Sequence, residues 1–222
     1  MIYLADTADI NQLKKLFYYL PIEGITTNPT IMAHAGKKLS ILFPELLEIV
    51  GDKMLHVQVI SSTADAMVKE VKTYINMFGL GDNFYAKIPV SREGYRAMKK
   101  IKDMGVNVTA TAIFTQQQAL VAARCGADFV APYINRLDSI SSHGIGVVEN
   151  IVRNFNDFNI PCKVLAASFK TVDQVHRASM SGAHSATISY DILEALRSHP
   201  MTDMSIEGFE RDGSALYDIP IA

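Results

Sequence analysis

Eight short apolar runs recur along this chain, separated by longer segments of helical period. The runs fall at residues 2–6, 24–27, 55–60, 84–90, 107–113, 129–134, 163–168 and 185–189. Runs of this length, with little alternation, suit strands buried on both faces, which is the condition of a parallel sheet. The segments between them include 63–78, 92–104, 115–125 and 171–181. Thr115-x-x-Gln118 and Thr171-x-x-Gln174 are capping boxes, in which hydroxyl and carboxamide satisfy the free N–H groups of a first helical turn. Gly105, Gly126 and Gly182 follow helices and lead into strands, as left-handed C-terminal caps do.

Eight strand–helix units in 222 residues predict an α/β fold, a single-domain (β/α)8 TIM barrel at the short end of that fold's range. An open doubly wound sheet would want a glycine-rich phosphate loop after its first strand, and Asp6-Thr7-Ala8-Asp9 is not one. No linker or low-complexity segment divides the chain. The tail at 201–222 carries Met204, Phe209, Leu216 and Tyr217, and predicts an extra C-terminal helix packing on the barrel or on a neighbouring subunit.

Composition narrows the function. A net charge of −2 gives no electrostatic case for nucleic acid or an anionic membrane. No apolar stretch approaches the ~20 residues that span a bilayer, and the N-terminal run lacks the basic region of a signal peptide. Cys125 and Cys162 show no metal-ligand spacing, so a reduced, cytoplasmic chain is the simplest account. Cys125, just before Gly126, reads as a small core residue rather than a nucleophile.

Against this background one residue is out of place. Lys87 lies within Phe84-Tyr85-Ala86-Lys87-Ile88-Pro89-Val90. An ammonium buried there loses most of its hydration, which favours the free amine, the form that attacks a carbonyl to give a Schiff base. The plainer account is a lysine at a strand end whose head reaches water. If Lys87 points into the barrel, so does Tyr85, while Ala86 and Ile88 face the helices. On that parity the other strands also bring polar groups inward: Asp6; Thr26 and Asn28; Gln58; Thr109 and Thr111; Tyr133, which follows Ala131; and Ser168. Each has a structural reading of its own, as helix cap, turn, β-branched strand residue or core aromatic. Together at one end of a barrel they are costly to bury unless they bond one another, water or a ligand. With an inward lysine among them, the set favours carbonyl chemistry.

These segments resemble the transaldolase family, and within it the small fructose-6-phosphate aldolases. The matching motifs are Leu4-Ala5-Asp6-Thr7, Gly24-Ile25-Thr26-Thr27-Asn28-Pro29, Val57-Gln58-Val59, Ala86-Lys87-Ile88-Pro89, Val130-Ala131-Pro132-Tyr133-Ile134-Asn135-Arg136 and Leu165-Ala166-Ala167-Ser168-Phe169-Lys170, in order over essentially the whole chain. The resemblance implies a (β/α)8 barrel with a Schiff-base lysine, Lys87, on the fourth strand. It implies that Asp6 accepts the proton of the C4 hydroxyl with help from Asn28. It implies that Gln58, Thr111 and Tyr133 hold the water that completes turnover. Thr26 and Ala131 join the substrate-contacting set, and Arg136 and Ser168 match phosphate-binding positions. A surface ion pair with Asp138 is the other reading of Arg136. No metal or other cofactor is implied, because the iminium is itself the electron sink. Partners would be sugar phosphates and dihydroxyacetone, and the subgroup forms rings of five that pair into decamers, so a homo-oligomer is implied. Gln at 58 and Tyr at 133 follow the aldolase pattern, where transaldolases typically carry Glu and Phe. His199-Pro200-Met201-Thr202-Asp203 is more similar to the short microbial transaldolases.

Overall fold

Most helices that follow a strand in this protein start at a side-chain cap, and those caps decide where the strand releases the chain. A computed structural model describes residues 1–214, 216 and 217; the remainder of the predicted tail lies outside the described residues. The chain runs β1 (Ile2–Asp6), α1 (Ile10–Tyr19), β2 (Ile22–Thr26), α2 (Pro29–His34), α3 (Leu39–Val50), β3 (Met54–Gln58), α4 (Ala64–Phe78), β4 (Phe84–Pro89), α5 (Arg92–Asp103), β5 (Asn107–Ile113), α6 (Gln116–Arg124), β6 (Phe129–Pro132), α7 (Ile134–Asp138), α8 (Gly144–Asp157), β7 (Lys163–Ala166), α9 (Val172–Met180), β8 (Ser185–Ile188), α10 (Tyr190–Arg197) and α11 (Pro200–Gly213). Asp9, Asn28, Thr63, Ser91, Thr115 and Thr171 each accept backbone N–H bonds at a helix start, which satisfies donors that would otherwise be orphaned. Gly105, Gly126 and Gly182 have φ of 78°, 93° and 80°, the left-handed turns expected of them.

The eight strands pair in order, all parallel, and β1 closes on β8. This is the (β/α)8 barrel. The two faces of each strand enter different clusters. Ala5, Ile25, Val57, Ala86, Ile88, Val108, Ala110, Val130, Ala166 and Ala186 pack outward against the helices. Leu4, Phe129 and Leu165, with Met54 and Tyr85, form a second cluster inside the barrel. The predicted parity of β4 is therefore correct: Tyr85 packs inside the barrel, and Ala86 and Ile88 outside. Each fully buried Leu, Ile, Val or Phe of the outer layer contributes about 1.5–3 kcal/mol, and the helices supply them at helical spacing, as Ala97, Met98 and Ile101 do on α5.

Several strand boundaries differ from the sequence reading, two of them instructively. β2 begins at Ile22 rather than at 24, because Glu23, which interrupts the apolar pattern, turns outward to Lys53 (3.0 Å). β6 ends at Pro132 rather than at 134: Ile134 N donates to Ala167 O (3.0 Å), and the chain enters α7 there. Only one of the two capping boxes is complete, that of Thr115 and Gln118. The extra C-terminal helix, α11, is present, and none of its residues is buried.

The turn after β4 is the tightest near Lys87. Ser91 Oγ accepts Gly94 N (2.9 Å), and a Cβ on Gly94 would fall inside contact distance of the Pro89 carbonyl. A Cβ on Gly105 would meet open space and would face only its left-handed φ. In urea unfolding, Gly94→Ala should therefore cost more than about 2 kcal/mol, through displacement of backbone. Gly105→Ala should cost about 1 kcal/mol.

Candidate active site

The C-terminal ends of the strands bring the predicted polar residues to one mouth. Lys87 is 3% exposed, and its Nζ donates to the carbonyl of Thr27 at 3.1 Å. The amine thus reaches from β4 past β3 to the corner where Thr26, Thr27 and Asn28 leave β2. The accessible-lysine account fails, because the head group is buried with the stem. Among the described residues no carboxylate lies within ion-pair distance of it.

Asp6 does not cap α1; Asp9 does. Asp6 is half-buried at the end of β1, and its Oδ1 accepts from Thr26 Oγ1 at 2.6 Å. Thr26 has one hydroxyl hydrogen, so its 2.5 Å contact with Thr187 Oγ1 makes Thr187 the donor there. The chain Thr187–Thr26–Asp6 orients a carboxylate beside the corner that holds Lys87 Nζ. The second oxygen of Asp6 accepts no hydrogen bond from the described residues. Thr187 was missed from the sequence, although inward parity on β8, from Ser185 to Thr187, carried the signal. Asn28 Oδ1 accepts Ile31 N (3.0 Å); that cap fixes the carboxamide and leaves its nitrogen as a donor. A cavity of about 430 Å³ opens beside Asp6, lined in part by Asp9, Gln12, His34 and Lys37.

Strands β3, β5 and β6 carry a second group. Gln58 pairs in register with Lys87, and its Oε1 is buried without a protein partner. Thr111 Oγ1 lies 3.1 Å from the Tyr133 hydroxyl. That contact depends on a bulge. Ala112 has φ 59°, and the register between β5 and β6 slips between Ala110 and Ile113, as bulges at barrel rims re-aim side chains. Phe114 stands edge-on to the Tyr133 ring, with centroids 5.6 Å apart, and the Arg136 guanidinium carbon lies 5.0 Å from the ring centroid. Asp138 does not pair with Arg136; its oxygens accept from Gly144 N and Gln174 Nε2. Arg136 is exposed on α7, and Ser168, at φ 63°, lies just after β7 rather than at its end, with its carbonyl accepting Asn135 N (2.8 Å). Ala131 is buried on β6.

Beneath Lys87 the barrel holds a histidine that composition could not interpret. His56 is fully buried and stacked on Tyr85 (4.4 Å, 8°), with Nδ1 2.8 Å from Thr109 Oγ1 and Nε2 unpartnered. Thr109 thus bonds His56 below the site rather than the Thr111–Tyr133 pair. Burial, and then the nearby charge of Lys87, pushes the His56 pKa down to about 3.

Residues 3–218 match the family model described as Transaldolase/Fructose-6-phosphate aldolase. A protein of Clostridium tetani (strain Massachusetts / E88) named probable transaldolase is 36% identical over 212 residues, 96% of this chain and 97% of that one. One of Exiguobacterium sp. (strain ATCC BAA-1283 / AT1b) with the same name is 37% identical over 212 residues, 96% and 97% of the two chains. A solved mutant flavocytochrome b2 with pyruvate bound superposes with a TM-score of 0.63 at 12% identity, over 93% of this chain and 65% of that one, a likeness of fold alone.

The buried histidine makes stability depend on pH in a defined direction. Its folded pKa lies below the unfolded value, so its contribution is whole above about pH 6.5 and is lost on acidification toward about pH 3. At pH 5 the loss is about 2 kcal/mol. Urea unfolding at pH 5 and pH 8 should show that decrement in the parent protein, and His56→Phe should abolish it whatever its own stability.

Proposed function

The chain belongs to the transaldolase/fructose-6-phosphate aldolase family, and we propose that within it the protein is a Schiff-base aldolase. It cleaves and forms fructose 6-phosphate, from dihydroxyacetone and glyceraldehyde 3-phosphate. The observation that carries this reading is the Tyr133 hydroxyl on Thr111 (3.1 Å), with the unpartnered Gln58 Oε1 on the strand beside Lys87.

Lys87 Nζ adds to the C2 carbonyl, and loss of water gives an iminium. Asp6 removes the C4 hydroxyl proton, the C3–C4 bond breaks, and its electron pair passes into an enamine on Lys87. Thr26, held by Thr187, keeps the accepting carboxylate in place. Glyceraldehyde 3-phosphate departs. Protonation at C3 and hydrolysis then free dihydroxyacetone. Gln58, Thr111 and Tyr133 hold the water that does this, and a phenol adds a donor to that group. Arg136 and Ser168 take the phosphate, to which guanidinium and hydroxyl both donate. Thr26, Asn28 and Ala131 contact the three-carbon unit. A cytoplasmic setting fits two free thiols.

The relatives named probable transaldolase favour a second reading, in which the three-carbon unit waits for an acceptor aldehyde. Release of glyceraldehyde 3-phosphate from fructose 6-phosphate, with and without erythrose 4-phosphate, separates the two. Sustained turnover without acceptor is expected. A halt near one equivalent per site, relieved by acceptor, would make the protein a transaldolase. Borohydride with dihydroxyacetone should add mass at Lys87, and Lys87→Met should lose both the adduct and turnover with its fold intact. Tyr133→Phe should lower release of free dihydroxyacetone about tenfold more than transfer to acceptor; equal losses would remove the role given to the phenol.

The protein is also proposed to form a homo-oligomer, a pentamer or decamer, in which α11 docks on a neighbouring subunit. Met201, Met204 and Phe209 are 61%, 65% and 74% exposed on that helix, more apolar surface than a solvated helix needs. Phe209→Asp should lower the sedimentation coefficient; an unchanged value would detach α11 from assembly.

A further inference from the structure

The chain contains two Thr-x-x-Gln helix starts, and their glutamines do different things. At α6, Gln118 Oε1 accepts both Phe114 N (2.9 Å) and Thr115 N (3.1 Å), a complete capping box. At α9, Thr171 Oγ1 accepts Gln174 N (3.2 Å), but the carboxamide makes no bond to the backbone N–H of Thr171 itself. Its Oε1 accepts Lys170 N (2.8 Å), while Nε2 donates to Asp138 Oδ2 (2.8 Å) and Asn135 Oδ1 (3.3 Å). Gln174 is 8% exposed, so these bonds form largely out of water. We propose that Gln174 is a positioning residue for phosphate recognition, fixing α7 against the loop between β7 and α9 so that Arg136 and Ser168 face one anion.

This rests on the reading of Arg136 and Ser168 as the phosphate ligands. The geometry explains why such a brace is required. Helix α7 has five residues and no side-chain cap, too short to hold itself in water. Arg136 lies between the two residues that Gln174 grips. Asn135 N donates to Ser168 O (2.8 Å), and Ile134 N to Ala167 O (3.0 Å), so α7 and the end of β7 already share two backbone bonds. Those bonds set the start of α7, and Gln174 sets its far end through Asp138. The second oxygen of Asp138 accepts Gly144 N (2.9 Å), which ties the same carboxylate to α8. Both Nε2 hydrogens are used.

The test compares a phosphorylated and an unphosphorylated ligand in one assay, the rate at which borohydride inactivates the enzyme through Lys87. Gln174→Met keeps the volume and removes the bonds. It should raise the half-saturating concentration of fructose 6-phosphate about tenfold and that of dihydroxyacetone less than twofold. Gln174→Glu, which sets a second carboxylate against Asp138, should raise the first value further. Equal changes for both ligands would mean a general structural role, and no change would mean no role; either overturns the proposal. Arg136→Ala serves as reference. If it leaves the fructose 6-phosphate value unmoved, the phosphate reading itself is wrong. If it raises that value and Gln174→Met does not, only the brace falls.

Discussion

A lysine buried inside a barrel of parallel strands, its Nζ held by one carbonyl oxygen, is the constraint around which the rest of this structure is arranged. A charged group in that position is expensive unless paired, and the barrel offers no carboxylate within ion-pair distance among its described residues. The surroundings divide accordingly. Below Lys87 the interior is closed by Leu4, Phe129, Leu165, Tyr85 and a neutral His56. Above it stand the Asp6 carboxylate from β1 and hydroxyls and carboxamides from β2, β3, β5 and the residue after β6. The amine sits at the boundary between an apolar floor and a polar mouth, the placement on which the proposed Schiff-base chemistry rests.

Holding the mouth in shape takes backbone strain at two places. Ala112 and Ser168 both have positive φ, in β5 and just after β7, and these strands flank β6. Each such residue costs of order 1–3 kcal/mol and persists because its neighbours over-determine it. At Ala112 the strain gives the bulge that aims Thr111 at Tyr133. At Ser168 it turns the carbonyl onto the start of α7. Tyr133, between them, bridges β6 to β7 through its pairing with Ala167.

Much of this was legible in the sequence, for reasons that particular residues show. Parity along a strand is a property of local geometry, so one misplaced lysine was enough to sort Tyr85, Ala86 and Ile88 between the two faces. Capping threonines and helix-ending glycines are equally local. What could not be read depends on contacts between distant strands. His56 on Thr109 spans 53 residues and Thr26 on Thr187 spans 161; neither spacing leaves a pattern in the chain. Asp6 was open to the reading of helix cap until the turn after β1 gave that place to Asp9. Asp138 was drawn to Arg136 by proximity in sequence, whereas its partners Gln174 and Gly144 belong to other helices. Helix α3 carries Pro44 in its interior, which argues against a helix on propensity alone and is overridden by the burial of Leu42, Phe43, Leu46 and Val50.

The two ends of the site are held by different kinds of structure, and this bears on what can change. Asp6, Thr26, Gln58 and Lys87 stand on strands whose ladder bonds continue around the whole barrel, so moving one shifts its neighbours. Arg136 stands on a five-residue helix whose start is held by two backbone bonds and whose far end is held by side-chain bonds of Asp138 and Gln174. In the proposed cycle the first group makes and breaks covalent bonds, which demands geometry held to a fraction of an ångström. The second group selects a phosphate, which tolerates a softer mount because charge attraction falls slowly with distance. A barrel mounted in this way can alter the aldehyde it accepts by changing α7 and its braces, with the amine and its carboxylate left where the sheet puts them.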